Sequence, residues 1–372
     1  TRTADNRRDA AGSGIVHRLQ QAVRSQDRTR FMALTEPDKR LARARLHYVF
    51  ANIRRLRVTD FRARYLGADG HGAAQGRWHA SAEVSWGLRG FNTRPVIQQT
   101  SLTFESRDGR TYLERIGLRR DNKWPLWAVG PLSVRRHDGA VAVAVGAGRA
   151  RTTLDGAERA IDDVRAVIGR LDAQLLVIAP ATALQFDRVV GVAGAYYANI
   201  AAVTTTADGS LSPRSLITVD VNPSAFGRLG PLAAQVVVSH EATHAATRSV
   251  TTSLPAWLEE GFADYVALRD MRLSPGVVAA GLLRRVRSHG VPAQLPSPAA
   301  FAAGAQREGQ SYEAAWLACL MIARQYGQRS LVHLYEQAGK AGVGPALHRV
   351  LQIGPVALTS RWRAYLEKVA GG

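Results

Sequence analysis

The 372 residues include 49 Lys and Arg against 30 Asp and Glu, a formal net charge of +19, and 46% of them are hydrophobic. This balance fits a folded chain long enough for two domains and excludes an intrinsically disordered one. No run of eighteen apolar residues occurs, which excludes an ordinary membrane-spanning helix, and the single cysteine, Cys319, excludes an internal disulfide framework or a cysteine-based zinc cluster.

The charge is unevenly placed. Residues 1–136 hold 27 basic and 12 acidic side chains, a balance of +15, and the other 22 basic and 18 acidic residues give +4. A field of this sign draws anionic partners such as an envelope polymer or a membrane surface. A solvated Arg-rich face accounts for the same residues more plainly. No zinc knuckle, RNP-like aromatic motif or helix-turn-helix pattern points to specific nucleic acid. Abundant Arg and Ala with few Lys, and Thr1 in place of Met, lead us to expect an exported bacterial protein, extracellular or associated with the cell envelope, whose signal segment has been removed.

Residues 1–14 are polar and read as a flexible leader. Helical spacing follows at Ile15, Val16, Leu19 and Val23, around Phe31–Leu34, and over Leu41–Ile53. The period then changes to two. Arg57–Leu66, Trp78–Leu88, Val96–Ser106, Thr111–Arg120 and Trp124–Val129 read as successive antiparallel strands, with turns at Gly67–Gly72, Asp108-Gly109 and Asp121-Asn122. Trp124 and Trp127 are expected to close the core. Helices followed by a curved antiparallel sheet make residues 15–136 a cone-shaped α+β module, similar in element order to the nuclear transport factor 2-like (cystatin-like) fold.

A basic bend, Arg135–Gly139, leads to a second domain over 140–372. Strands are expected at Val141–Val145 and Leu175–Ala179, helices at Thr152–Leu171 and Ala181–Val190, and a hairpin from Ala198–Thr206 and Ser215–Val221 around Asp208-Gly209. Beyond Pro231 the pattern is helical: 231–248, 255–270, 275–288, 311–326, 329–339 and 355–369. The fold class is therefore α+β, with a mostly helical C-terminal half.

The chemistry concentrates at His240-Glu241-Ala242-Thr243-His244. On a helix, positions i and i+4 share a face, so His240 and His244 can present two imidazole nitrogens to one metal ion. Glu241, rotated by about 100°, is directed at a water rather than at the metal. Two histidines hydrogen-bonded in a packed helix remain the bland alternative. The segment Leu254–Tyr265 supplies more: Glu260 and Asp264 are again i and i+4. A catalytic zinc site takes three protein ligands and leaves one position open, so Glu260 is the candidate third ligand. Asp264 is then placed to accept the second ring N–H of a ligating histidine. Glu259 is a rival ligand.

Both halves, His240-Glu241-x-x-His244 and Trp257-x-x-Glu260-Gly261-Phe262-Ala263, resemble the gluzincin, or peptidase MA-like, zinc metallopeptidases that include thermolysin and aminopeptidase N. The resemblance implies zinc held by His240, His244 and Glu260, with Glu241 as catalytic base acting on a peptide or protein substrate. Fifteen residues separate His244 from Glu260, fewer than in those relatives, so the connection must be tighter. The resemblance also implies an oxyanion-stabilising side chain, for which Tyr312 is the candidate and Tyr265 and His333 lesser ones. A tyrosine packed near a helix N-terminus is the alternative for Tyr312. Substrate would lie along an edge strand, here Ile200–Thr205. With no Gly-Ala-Met-Glu-Asn motif to bind a free amino terminus, an endopeptidase is favoured. A catalytically silent scaffold and a zinc hydrolase of a non-peptide envelope substrate stay open as alternatives.

Overall fold

The computed structural model describes residues 2–69, 76–91, 93–117, 123–145, 147–169, 174–192, 197–302 and 305–371. Three helices, α1 (Arg2–Arg24), α2 (Arg28–Met32) and α3 (Arg40–Leu56), lead into four strands, β1 (Val58–Ala68), β2 (Arg77–Leu88), β3 (Val96–Arg107) and β4 (Arg110–Ile116). The strands pair antiparallel in sequence order. Alternation sets the register: in β2, Trp78, Ala80, Ala82, Val84, Trp86 and Leu88 are buried while the residues between them are not. Ile15, Leu19, Leu46, Phe50 and Ile53 from the helices share one core with this face.

Two expectations are corrected here. Residues 1–14, expected as a flexible leader, are helical from Arg2 onward. Asp9 accepts hydrogen bonds from the Tyr65 hydroxyl (2.8 Å) and the Ala68 N–H (3.0 Å), and a Cβ at Gly12 would meet the rings of Tyr65 and Trp78 at 2.6 and 2.8 Å. Trp124–Val129, expected as a strand, forms instead a 3-10 turn over Leu126–Ala128. Pro125 has no N–H to give to a ladder. Trp124 and Trp127 nonetheless both lie in the core. The turn at Asp121-Asn122, His71, and the outer ends of two elements at residues 118–120 and 170–171 fall outside the described residues.

The next strands, β5 (Leu132–His137) and β6 (Ala140–Val145), form a hairpin that turns at Asp138 and Gly139, both with positive φ. The basic bend expected at 135–139 is thus largely strand, and β5 joins the second sheet. That sheet continues through α4 (Ala147–Ile168), β7 (Leu175–Ala179), α5 (Ala183–Val190), β8 (Ala202–Thr206) and β9 (Ile217–Val221), in the order β5-β6-β7-β9-β8. β6, β7 and β9 run parallel, and β8 lies antiparallel to β9 at one edge. β6 and β7 are buried on both faces, which explains their unbroken apolar sequences; β9 is equally buried but includes Thr218 and Asp220. Ala142, Val177 and Val219 face the C-terminal helices, while Val141, Val143, Leu176 and Ile178 belong to the N-terminal core.

The rest is helical: α6 (Pro223–Phe226), α7 (Pro231–Thr247), α8 (Ala256–Leu268), α9 (Pro275–Val278), α10 (Ala280–His289), α11 (Glu308–Tyr326), α12 (Gln328–Ala341), α13 (Val343–Leu351) and α14 (Pro355–Gly371). α13 was not anticipated, and the single helix expected over 275–288 is divided at Ala279. Cys319 is fully buried among apolar side chains of this half. The architecture is therefore α+β with two sheets and a mostly helical C-terminal half.

One fully buried polar side chain ties α3 to the segment that leads into the second sheet. Asn52 of α3 donates to the carbonyls of Trp127 (3.0 Å) and Gly130 (2.7 Å) and accepts from the N–H of Leu132 (3.0 Å), the first residue of β5. Removing it leaves two acceptors and one donor unpaired in a dry place. Asn52→Ala is expected to lower the unfolding free energy by about 3 kcal/mol. Urea denaturation checks this, and a loss below about 1 kcal/mol would contradict the linking role.

Candidate metal centre

α7 begins at Pro231, whose missing N–H is harmless at a first helical position, and ends at Arg248, which takes a left-handed conformation (φ 56°). The apolar positions Val238 and Ala242 pack into the core of the helical half. His240 and His244 lie on the side that meets α8. The connection from α7 to α8 is compact, as the short spacing required. A 3-10 turn over Ser249–Thr251 follows Arg248, and the Thr251 and Thr252 hydroxyls both donate to the Arg248 carbonyl.

The two helices bring three side chains together. Nε2 of His240 lies 3.2 Å from Oε2 of Glu260, Nε2 of His244 lies 3.5 Å from the same oxygen, and the two Nε2 atoms are 3.0 Å apart. All three donor atoms fall within 4.8 Å of one another. The opposite ring nitrogens are also engaged: Nδ1 of His240 with Asp264 at 2.8 Å, and Nδ1 of His244 with the Ser249 hydroxyl at 2.9 Å. Asp264 thus contacts the second nitrogen of His240, where helical spacing put it. Glu259, the rival ligand, lies 3.9 Å from Nδ1 of His244, on the far side from the three converging donors.

This donor set fits a divalent metal ion. Two imidazoles turned so that both Nε2 atoms face one carboxylate oxygen, with each Nδ1 held from behind, form the arrangement in which outer partners fix ligand orientation. The charges reinforce one another. Burial disfavours the charged form of His240, but Asp264 and then Glu260 outweigh it and raise its proton affinity. Burial acts on Glu260 in the opposite sense, yet the hydrogen bonds from His240 and His244 prevail and hold its carboxyl well below the usual carboxylate range.

Glu241 stands beside this cluster, not in it. Its carboxylate accepts a 2.6 Å hydrogen bond from the Thr204 hydroxyl of β8, which also reaches the Glu241 carbonyl at 2.9 Å. Burial raises the Glu241 carboxyl, with His240, His244 and the Thr204 bond opposing. The Tyr312 ring lies 6.2 Å from the ring of His240 and packs edge-on against Phe301. It sits in the second turn of α11, which starts at Glu308, earlier than expected. Burial, followed by Glu260, Asp264 and Glu241, raises its hydroxyl, so Tyr312 stays protonated at neutral pH. Tyr265 points elsewhere, donating to Gln328, and His333 is exposed.

Ser249 and Thr204 were not found from the sequence. Neither has a motif, because each is brought in by tertiary structure: Ser249 by the compact turn after α7, Thr204 by the edge strand. β8 itself is gripped by the N-terminal half. Lys123 donates to the Thr206 carbonyl (2.8 Å), Gln98 to the Ala207 carbonyl (3.0 Å), and Arg94 pairs with Asp208 at 2.6 Å. Beneath it the Thr205 hydroxyl donates to the fully buried Asp220 at 2.7 Å.

No protein-family model matches the sequence, and no curated protein matches it. Among solved structures, similarity is found to the crystal structure of a two-domain M1 zinc metallopeptidase mutant bound to L-tryptophan, with a TM-score of 0.34 and 12% sequence identity. The match covers 78% of this chain and 61% of that one.

Two substitutions test the geometry. A Cβ at Gly261 would fall on the Ala315 carbonyl of α11 and 3.0 Å from Cys319 Sγ. Only glycine lets α8 approach so closely and carry Glu260 to the histidines. Gly261→Ala should destabilise the fold by about 3 kcal/mol or more and weaken metal binding, measured by thermal melts with and without added metal. Ser249→Ala removes the partner of His244 Nδ1 without touching a donor, and should weaken metal affinity about 10- to 100-fold in a competitive chelator titration. An unchanged affinity would show that Ser249 does not orient the ring.

Proposed function

We propose that the protein is a zinc-dependent peptidase that hydrolyses internal peptide bonds. The observation that carries this reading is the placement of Glu241: a buried carboxylate held against the His240, His244 and Glu260 donors yet not one of them. A purely structural metal site has no use for such a group. Two imidazoles and a carboxylate are a donor set of catalytic zinc sites, which keep a further position open. When bound, zinc would supply a Lewis acid for the substrate carbonyl and make water a competent nucleophile near neutral pH.

The chain's own residues supply the rest. Glu241 takes the proton of the attacking water and returns it to the leaving amine. Burial raises its carboxyl, which shifts it toward the range where both transfers are feasible. Tyr312, kept protonated, donates a hydrogen bond to the oxygen that becomes negative. Asp264 and Ser249 keep His240 and His244 oriented. β8 is one of the two edge strands of its sheet, the one beside Glu241, so an extended substrate can add along it by main-chain hydrogen bonds. With no motif for a free amino terminus, cleavage within a chain is favoured over removal of terminal residues.

For the N-terminal half, a four-stranded antiparallel sheet behind three helices supports the nuclear transport factor 2-like reading. Its basic character supports a role in holding an anionic partner, and composition supports a place at the cell envelope.

The decisive experiment is peptide-library cleavage read by mass spectrometry, with metal content measured on the same samples. Glu241→Gln should retain zinc and lose activity by about 10²- to 10⁴-fold, whereas His240→Ala should lose the metal. Cleavage by Glu241→Gln at the wild-type rate would overturn the catalytic reading.

A further inference from the structure

The N-terminal half carries a second concave feature. An open groove of about 660 Å³ runs between α2, the start of α3 and β4. Its walls include Arg28, Arg43, Arg110, His47, Thr35 and Tyr112. The neighbouring cations are already committed. Arg30 pairs with Asp27, Lys39 with Glu105, and Arg107 with Glu36. Arg28, Arg43 and Arg110 have no carboxylate partner among the described residues. Three guanidinium groups around one depression, with Asp27, Glu36 and Glu105 paired to other cations, give it a local positive potential that attracts an anion.

A second observation points the same way. Thr35 lines the groove and is only 2% exposed, yet its hydroxyl has no hydrogen-bond partner. A buried hydroxyl with nothing to bond costs free energy in the isolated protein, and because its oxygen is closed to solvent in this structure, a ligand oxygen satisfies it once the groove wall shifts on binding.

We propose that this groove binds an acidic segment of polypeptide, whose carboxylates pair with Arg28, Arg43 and Arg110. Guanidinium groups form two-pronged hydrogen bonds with carboxylates. Met32 and Pro37 also line the groove, providing apolar surface for the side chains between the acids. A bare polyphosphate has no apolar groups to use that surface. A flat lipid surface does not enter a concavity, and Tyr112 and His47 are the aromatic rings among the lining residues, too few for a run of successive bases to stack. The choice of a polypeptide rests on the peptidase reading, for which the groove is a docking site that brings acidic proteins to the enzyme. The binding itself does not depend on catalysis.

The test uses full-length Glu241→Gln protein, so that binding is read without hydrolysis, and a fluorescently labelled deca-glutamate peptide followed by anisotropy. The variant Arg28→Gln/Arg43→Gln/Arg110→Gln should bind the peptide about tenfold more weakly or worse. The control Arg284→Gln/Arg329→Gln/Arg363→Gln, three exposed positions elsewhere, lowers the net charge equally and should change affinity by less than about twofold. Thr35→Val should weaken binding about threefold without lowering the melting temperature, since it removes a hydroxyl that makes no bond in the free protein. Equal losses in the two triple variants would reduce the effect to net charge and overturn the site. Tighter binding of polyphosphate or of phosphatidylglycerol vesicles through the same three arginines would overturn the polypeptide assignment. Absence of peptide cleavage by the wild type, with groove-dependent binding intact, would instead count against the peptidase reading alone.

Discussion

Two imidazoles and a carboxylate that converge in a nearly dry crevice are tolerated only if each remaining polar atom also has a partner. That constraint organises the region around α7 and α8. Nδ1 of His240 requires an acceptor, and Asp264 supplies it from one turn beyond Glu260. Nδ1 of His244 faces the other way and cannot reach the same helix face, so its partner comes from the turn, Ser249. The turn must therefore be short and sharply wound, and Arg248 in a left-handed conformation begins it. Glu260 must reach both Nε2 atoms. It does so because Gly261, its neighbour, lets α8 press onto the backbone of α11.

The same constraint extends to Glu241. A buried Glu241 needs a donor, and Thr204 provides it from the sheet, not from the helices. This ties the Glu241 carboxylate to β8, an edge strand of the second sheet. The next residues of that strand and its turn are bonded to Lys123, Gln98 and Arg94. The first module and Glu241 are therefore both bonded to this one strand, at positions only two residues apart. In this arrangement the module sets the position of the strand that holds the Glu241 carboxylate.

What was legible in the sequence follows from how local each feature is. The His240–Glu241–His244 and Glu260–Asp264 pairs could be placed because helical periodicity alone puts i and i+4 on one face, and Pro231 marked where that helix starts. The strands of the first sheet were legible through alternation, seen most clearly in Trp78–Leu88. The apolar run Trp124–Val129 misled, because a short buried apolar stretch reads as a strand although Pro125 cannot join a ladder and the run folds as a 3-10 turn. Polar composition misled at residues 1–14, because one contact set, Asp9 with Tyr65 and Ala68, holds a helix that its own sequence does not announce. Ser249, Thr204 and Asn52 were invisible for a common reason. Each acts through a partner brought near by tertiary folding, and a lone Ser, Thr or Asn has no periodic signature.

The second sheet decides whether the two halves are separable. Val141, Val143, Leu176 and Ile178 are nearly inaccessible because the first module covers them, while the alternate residues Ala142, Val177 and Val219 are covered by the C-terminal helices. Cutting the chain between residues 136 and 140 would fall in the turn of the β5–β6 hairpin, detach an edge strand and expose one whole apolar face. Such a face is stable in water only when covered. The helical half thus has the donors for a metal but not the means to stay folded by itself. The basic module serves as the other wall of its core, and its outward surface is left free to carry the arginine groove.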